Sequence, residues 1–198
     1  MGAKGDETKR KILETACDLF YLRGYHGTSI DDILKACRVK KGNLYFHFKS
    51  KEALGLSVID MYGSVMIPFF QETLRGKGSA LSRLFGLFQA QERRLKSARF
   101  KGGCPLGNLA LELADHHDGF RRKLDAIFDA WAREVEQLLK EAQKEGEIKK
   151  SVDPKQMATF VVAVLEGGIL LAKTKKSGQV YRHCMKSLEC LIRGPGIR

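Results

Sequence analysis

From Thr8 onward the apolar residues fall at helical spacing. Ile12, Leu13, Ala16, Leu19 and Phe20 share one face, while Lys9, Arg10, Lys11, Glu14 and Asp18 take the other. Gly24 ends this first helix as the residue after its cap, and residues 1–7 read as a disordered lead-in. Thr28 or Ser29 can cap a second helix, with Asp31 or Asp32 three residues on as the reciprocal partner. Ile30, Ile33, Leu34 and Cys37 are its inward positions. Arg38 and Val39 make a tight turn. Residues 42–48 then form a third, short helix, with Leu44, Phe46 and Phe48 packed and Asn43, Tyr45 and His47 presented. Two short helices joined so tightly, after a longer supporting one, make a helix-turn-helix.

The helical pattern continues. Ser50 caps a fourth helix that runs to about Leu74 through Val58, Ile59, Tyr62, Met66, Phe69 and Phe70; Pro68 inside it should kink it or end it early. After a loop at Gly76–Ser79, residues 80–99 are amphipathic, with Leu81, Leu84, Phe85, Phe88 and Leu95 inward. Phe100–Gly103 breaks the pattern. Pro105 suits the first turn of the next helix, which puts Cys104 at or beside its N-cap. Residues 120–146 form a long helix with Leu124, Ile127, Phe128, Trp131, Val135, Leu138 and Leu139 as its stripe. Asp153 and Pro154 open a helix that is apolar on nearly every side, and such a helix is buried on two sides. Gly167 and Gly168 within it permit close approach. Beyond Gly178, Val180, Tyr181, Cys184, Leu188 and Leu191 recur along a last helix, and Gly194–Pro195–Gly196 reads as a disordered tail.

The chain of 198 residues carries a formal net charge of +12 with pI ≈ 9.6. That balance favours a polyanionic partner, nucleic acid first and an anionic membrane second; plain solubility would produce the same charge. Lys40, Lys41, Lys49 and Lys51 flank the third helix, where cations can pair with phosphates. No run of 18 uncharged apolar residues and no apolar leader follows the charged N-terminus, so the expectation is a cytoplasmic protein that does not enter membranes. The five cysteines are odd in number and lack a C-x-x-C pair, which points to reduced thiols. Asp115–His116–His117–Asp118 resembles a metal cluster, but adjacent helical residues point apart; Glu112 and His116 at i, i+4 could share an ion, but a polar helix junction is the better account and no metal is expected. Repeated Glu-x-x-His, a nucleophile elbow and a Gly-rich phosphate loop are missing, so neither an enzyme nor a cofactor is expected. A helical adaptor would explain the charge but not the helix-turn-helix.

Phe20-x-x-x-Gly24-Tyr25-x-x-Thr28-Ser29, Ile33, and Val39-Lys40-Lys41-Gly42-x-Leu44-Tyr45-x-His47-Phe48-x-x-Lys51-x-x-Leu54 together resemble the DNA-binding domain of TetR/AcrR-family transcriptional regulators. The match is ordered and ungapped over roughly residues 8–56. Arg38 departs from it, standing where the family usually has Gly; a left-handed backbone there costs Arg about 1 kcal/mol, though its charge could also meet a phosphate. The resemblance implies that Lys40, Lys41, Gly42, Asn43, Tyr45 and His47 meet the major groove from the recognition helix and its entry. It implies that Thr28, Ser29 and Lys51 hold backbone phosphates at the starts of the second and fourth helices. Pure capping is the other reading of Thr28 and Ser29, and packing the other reading of Tyr45.

Gly103-Cys104-Pro105-Leu106-Gly107-Asn108 resembles the G-C-P-L-G-N motif of one branch of that family, with Phe120-Arg121, Trp131 and Glu166-Gly167 as further counterparts. The whole therefore implies an all-α regulator: a helix-turn-helix three-helix domain at residues 1–52 and a helical ligand-binding and dimerisation domain at residues 53–198. Its partners would be a palindromic double-stranded DNA operator, a second copy of the chain seated on the last two helices, and an apolar or aromatic small-molecule inducer. Candidate ligand residues are Met61, Val65, Phe69, Phe88, Cys104, Asn108, Leu111, Phe128, Trp131, Phe160 and Glu166; a plain helix core would use the same apolar positions. Cys104 has two readings. A helix N-terminus activates a thiol, which suits an electrophile or redox sensor, whereas free cysteines commonly fill tight buried space. Repression is the outcome usual for the family, and activation stays open.

Overall fold

The structure is a computed structural model, and it describes residues 3–194. Among them are nine α-helices and no strand: α1 Ala3–Arg23, α2 Ile30–Cys37, α3 Lys41–His47, α4 Lys51–Leu74, α5 Ala80–Ser97, α6 Pro105–Leu113, α7 Asp118–Lys144, α8 Pro154–Lys175 and α9 Gln179–Arg193. The all-α expectation holds. The lead-in does not: α1 already runs from Ala3, because the charged stretch 4–11 has no helix breaker except Gly5. The expected disordered tail beyond Gly194 lies outside the described residues.

The chain divides into two compact units. The first comprises residues 1–64 and 105–124, the second residues 65–104 and 125–198. The expected head, residues 1–52, lies within the first unit, which also takes in α6 and the start of α7.

Local sequence explains the helix ends. Ser29 accepts from the Asp32 N–H at 3.1 Å while Asp32 accepts from the Ser29 N–H at 2.8 Å, the reciprocal capping box. The Ser29 hydroxyl and N–H, both donating to the Asp32 carboxylate, hold it below its ordinary range. Ser50 receives the Ala53 N–H at the start of α4, Ser79 caps α5, and Asp153 with Pro154 opens α8. α4 passes through Pro68 and continues to Leu74, so the proline does not end it.

Each unit has its own core. In the first, Ile12, Ala16, Phe20, Ile33, Leu44, Phe48, Leu54, Val58 and Phe120 are buried. In the second, Trp131 stacks on Phe70 at 4.7 Å between ring centres and 3° between planes, and Phe128 meets Trp131 edge-on. α8 and α9 pack closely because Gly168 leaves room; a Cβ there would sit 3.2 Å from Tyr181 and 3.3 Å from Met185. α4 and α8 are long and apolar enough to cross a membrane by length and composition alone, although Asp60 and Glu166 interrupt them, so neither contains a run of 18 uncharged apolar residues. Core helices of globular proteins have the same composition, and part of each is buried here.

Candidate nucleic-acid interface

The helix-turn-helix is held rigidly before it presents anything. Val39 donates to the Leu34 carbonyl and Arg38 takes the left-handed backbone, φ 53° and ψ 42°. Arg38 thus does sit where glycine is favoured. Leu44 and Phe48 anchor α3 in the core at 0% and 3% exposure. Phe46 is 65% exposed, contrary to the core assignment. Alternation of period two cannot hold on a helix: residues 44 and 48 share a face, and 46 lies across from them.

On the outer side Lys40, Lys41, Gly42, Asn43 and Tyr45 are all exposed. Nothing lies within 4 Å of where a Gly42 Cβ would stand, so a partner surface can approach the backbone closely. His47 is half-buried with its ring edge-on to Phe46, and its Nδ1 is enclosed without a hydrogen-bond partner. From Arg38 to Lys51 the chain has Arg38, Lys40, Lys41, Lys49 and Lys51 and no acid. These cations bracket a short anchored helix, and Lys40 and Lys41 at its start are suited to phosphate pairing, with Asn43 and Tyr45 free to read base edges.

Two expected phosphate contacts are placed differently. Thr28 is fully buried, and its hydroxyl donates to the Gly24 carbonyl at 2.8 Å and the Leu19 carbonyl at 3.4 Å. It ties α2 to the end of α1 and has no side-chain surface for a phosphate. Lys51 lies with its ammonium 4.2 Å from the centre of the Tyr25 ring, and burial pushes its pKa down. Ser29 remains exposed at the N-terminus of α2.

The turn joining α1 to α2 carries a contact that the linear pattern did not disclose. Glu112 of α6 accepts the Tyr25 N–H at 2.9 Å and the His26 N–H at 2.6 Å. Each of its oxygens therefore accepts one backbone N–H, a role other than the metal pairing with His116 that the spacing allowed. Among the described residues no three His, Cys, Asp or Glu side chains are grouped to hold a metal ion. A local signal existed, since Glu112 is the one charged residue in PLGNLALEL, but its partner lies 87 residues away.

The candidate ligand residues are divided between the two units. Met61, Asn108 and Leu111 belong to the first unit, and Met61 takes up the Cys17 thiol at 3.5 Å. Val65, Leu111 and Phe160 are exposed, at 62%, 78% and 43%, so they line no enclosed cavity in the single chain. In the second unit Phe69 and Phe128 are half-buried, and Phe88, Cys104 and Trp131 are buried. The Trp131 Nε1 is enclosed without a hydrogen-bond partner. The Cys104 thiol hydrogen-bonds the Glu166 carboxyl, whose pKa burial raises above its ordinary value despite that bond. Phe88 also borders a groove of about 350 Å³ with Phe85, Tyr181 and Met185.

Comparison with known proteins bears on both units. Residues 12–58 match the model of bacterial regulatory proteins of the tetR family, and residues 80–188 match that of the tetracyclin repressor-like C-terminal domain. The transcriptional regulator AcuR of Cereibacter sphaeroides is 35% identical over 152 residues, covering 76% of this chain and 69% of AcuR. The transcriptional repressor DhaR of Mycobacterium sp. is 32% identical over 177 residues, 85% of this chain and 84% of DhaR. The crystal structure of reduced Escherichia coli NemR superposes with a TM-score of 0.85 at 25% identity, covering 96% of this chain and all of that one.

Proposed function

This chain belongs to the TetR family of bacterial regulatory proteins and is a helix-turn-helix transcriptional regulator rather than an enzyme, and on that basis we propose that it is a repressor released from a palindromic operator by a small-molecule inducer. The observation that carries this reading is α3: a core-anchored helix whose outer face offers Lys40, Lys41, Asn43 and Tyr45 within a strip free of acids. Ser29 at the N-terminus of α2 adds a phosphate donor. Lys51 and Thr28 act behind the interface, holding the turn that positions Ser29.

Regulators of this family act as dimers. In this chain the seam is assigned to α8 and α9, where Phe160, Leu170, Leu171 and Leu191 are exposed. A two-fold dimer matches a palindromic operator with half-sites about one turn or more apart. The chain works where its operator DNA lies, in the cytoplasm. The inducer is a largely apolar or aromatic molecule held in the second unit near Phe69, Phe128 and Trp131. The free Trp131 N–H favours an inducer that carries a hydrogen-bond acceptor. The G-C-P-L-G-N stretch and the Cys104–Glu166 contact support a second reading, in which the Cys104 sulfur attacks an electrophile, giving up its thiol proton as the new bond forms, and the adduct releases the DNA. Release by a thiol-reactive electrophile that persists in Cys104→Ser would rule it out.

The deciding experiment is binding to DNA upstream of the chain's own gene, at low and physiological salt, with excess competitor DNA. A regulator retains competitor-resistant binding, at that site or at one selected from random DNA. Lys41→Ala and Tyr45→Ala should each cost about 1–3 kcal/mol of specific binding and leave Tm unchanged. Affinity that disappears entirely with salt would mark charge-driven adhesion instead.

A further inference from the structure

We propose that Glu112 is a positioning residue for DNA binding, an acceptor supplied by α6 that fixes the turn between α1 and α2. This rests on the regulator reading above.

The turn begins at Gly24, whose N–H closes α1 on the Phe20 carbonyl at 3.0 Å and whose φ is +80°. After such a left-handed residue, successive backbone N–H groups can form a concave cradle for an anion. Here the cradle is made by the Tyr25 and His26 N–H groups, and the Glu112 carboxylate fills it at 2.9 and 2.6 Å. Hydrogen bonds to an ionised acceptor are stronger than neutral ones. The fit is specific to glycine, because a Cβ at residue 24 would stand 2.9 Å from one carboxylate oxygen and 3.1 Å from the other.

The same turn is clasped by its side chains. The Tyr25 ring is 5% exposed, lies 5.2 Å from both the Phe20 and Phe120 rings, and carries the Lys51 ammonium on its face. Gly55 of α4 admits this packing; a Cβ there would come within 2.9 Å of Tyr25 and 2.7 Å of Phe120. From the turn, the Thr28 hydroxyl returns to the Gly24 carbonyl, and the next residue is Ser29, the cap of α2. Glu112 therefore holds the first link of a short chain of hydrogen bonds that ends at the N-terminus of α2. α6 lies in the stretch matched by the C-terminal family model, outside the 12–58 matched by the N-terminal one. The DNA head is thus incomplete without a residue from the other half of the sequence, and any shift of α6 withdraws the acceptor.

The test uses the full-length chain, a duplex carrying the operator selected from random DNA, and the variants Glu112→Ala and Glu112→Gln. Operator affinity should fall at least tenfold in Glu112→Ala. It should fall less in Glu112→Gln, which keeps one acceptor oxygen. Affinity for random-sequence DNA should stay within twofold, since the cations bracketing α3 are untouched, and the Tyr25 and His26 amides should exchange hydrogen at least tenfold faster than in wild type. A folded Glu112→Ala that binds operator within twofold of wild type overturns the proposal, as does one that loses operator and random DNA equally. If Glu112→Ala does not fold, wild type decides the matter: operator must slow exchange at those two amides, and unchanged exchange overturns the proposal. A wild-type chain with no specific operator fells the regulator reading and this inference together. Specific binding indifferent to Glu112 fells this inference alone.

Discussion

Glu166 is the one acid within the apolar run of α8, and its surroundings favour the protonated form. A carboxyl whose pKa is raised on folding binds its proton more tightly folded than unfolded. It is least costly below the ordinary carboxylate range, and the cost grows as pH rises through the raised value. Glu166→Gln is neutral at every pH. It should raise Tm by about 2–4 °C at pH 8, the equivalent of about 1 kcal/mol in a chain of this size, and by much less at pH 4; thermal unfolding at the two pH values checks this. An equal gain at both would show that the ionised carboxylate carries no penalty. Other residues were legible from local rules. Ser29 and Asp32 sit three apart at a turn, a spacing that suits reciprocal bonds, though Thr28 and Asp31 share it and only the burial of Thr28 decides between the pairs. Phe46 was not legible, because an aromatic residue between two core positions looks like core until the helical phase is imposed. Thr28 was half-legible: a hydroxyl at a helix start suggested a cap, but its burial under the end of α1 depends on tertiary packing.

Among the elements, starts and stops were the most readable, since Ser50, Asp153 with Pro154, and Gly24 act on their immediate neighbours; Ser79, read only as loop, also proves to be a cap. The α2–α3 turn shows what a local departure does. Arg38 adopts the left-handed backbone without the freedom of glycine. Arg38→Gly should stabilise the chain by about 1 kcal/mol through relief of that strain, measured by chemical denaturation; a loss of stability would mean that the Arg38 side chain contributes more than the backbone costs. α9 was read as a stripe that either faces a second copy or packs within the subunit, and the structure divides that stripe. Tyr181, Met185, Leu188 and Ile192 are inward, while Leu191 is 59% exposed. Its apolar residues outnumber one face, so periodicity permitted two phases, and packing against α8 and α5 selects between them.

At the scale of the whole molecule, sequence periodicity could not reveal that α6 joins the compact unit of the head, because its partners lie more than 80 residues away. The exposed leucines of α8 and α9 belong to this scale as well. Leu170 is 46% and Leu191 59% exposed, and a second copy seated there would link two heads to one operator. Leu170→Asp combined with Leu191→Asp should yield a monomer by sedimentation velocity and weaken operator binding at least about a hundredfold, since linked sites gain that much from avidity. A variant that stays dimeric would place the seam elsewhere. Trp131 has a practical consequence of another kind. It is the only tryptophan in the chain, 1% exposed and stacked on Phe70. Light absorbed near 295 nm, beyond tyrosine, would therefore excite this one indole. Its emission is an intrinsic optical probe of the second unit, by which candidate inducers can be titrated without attaching any label.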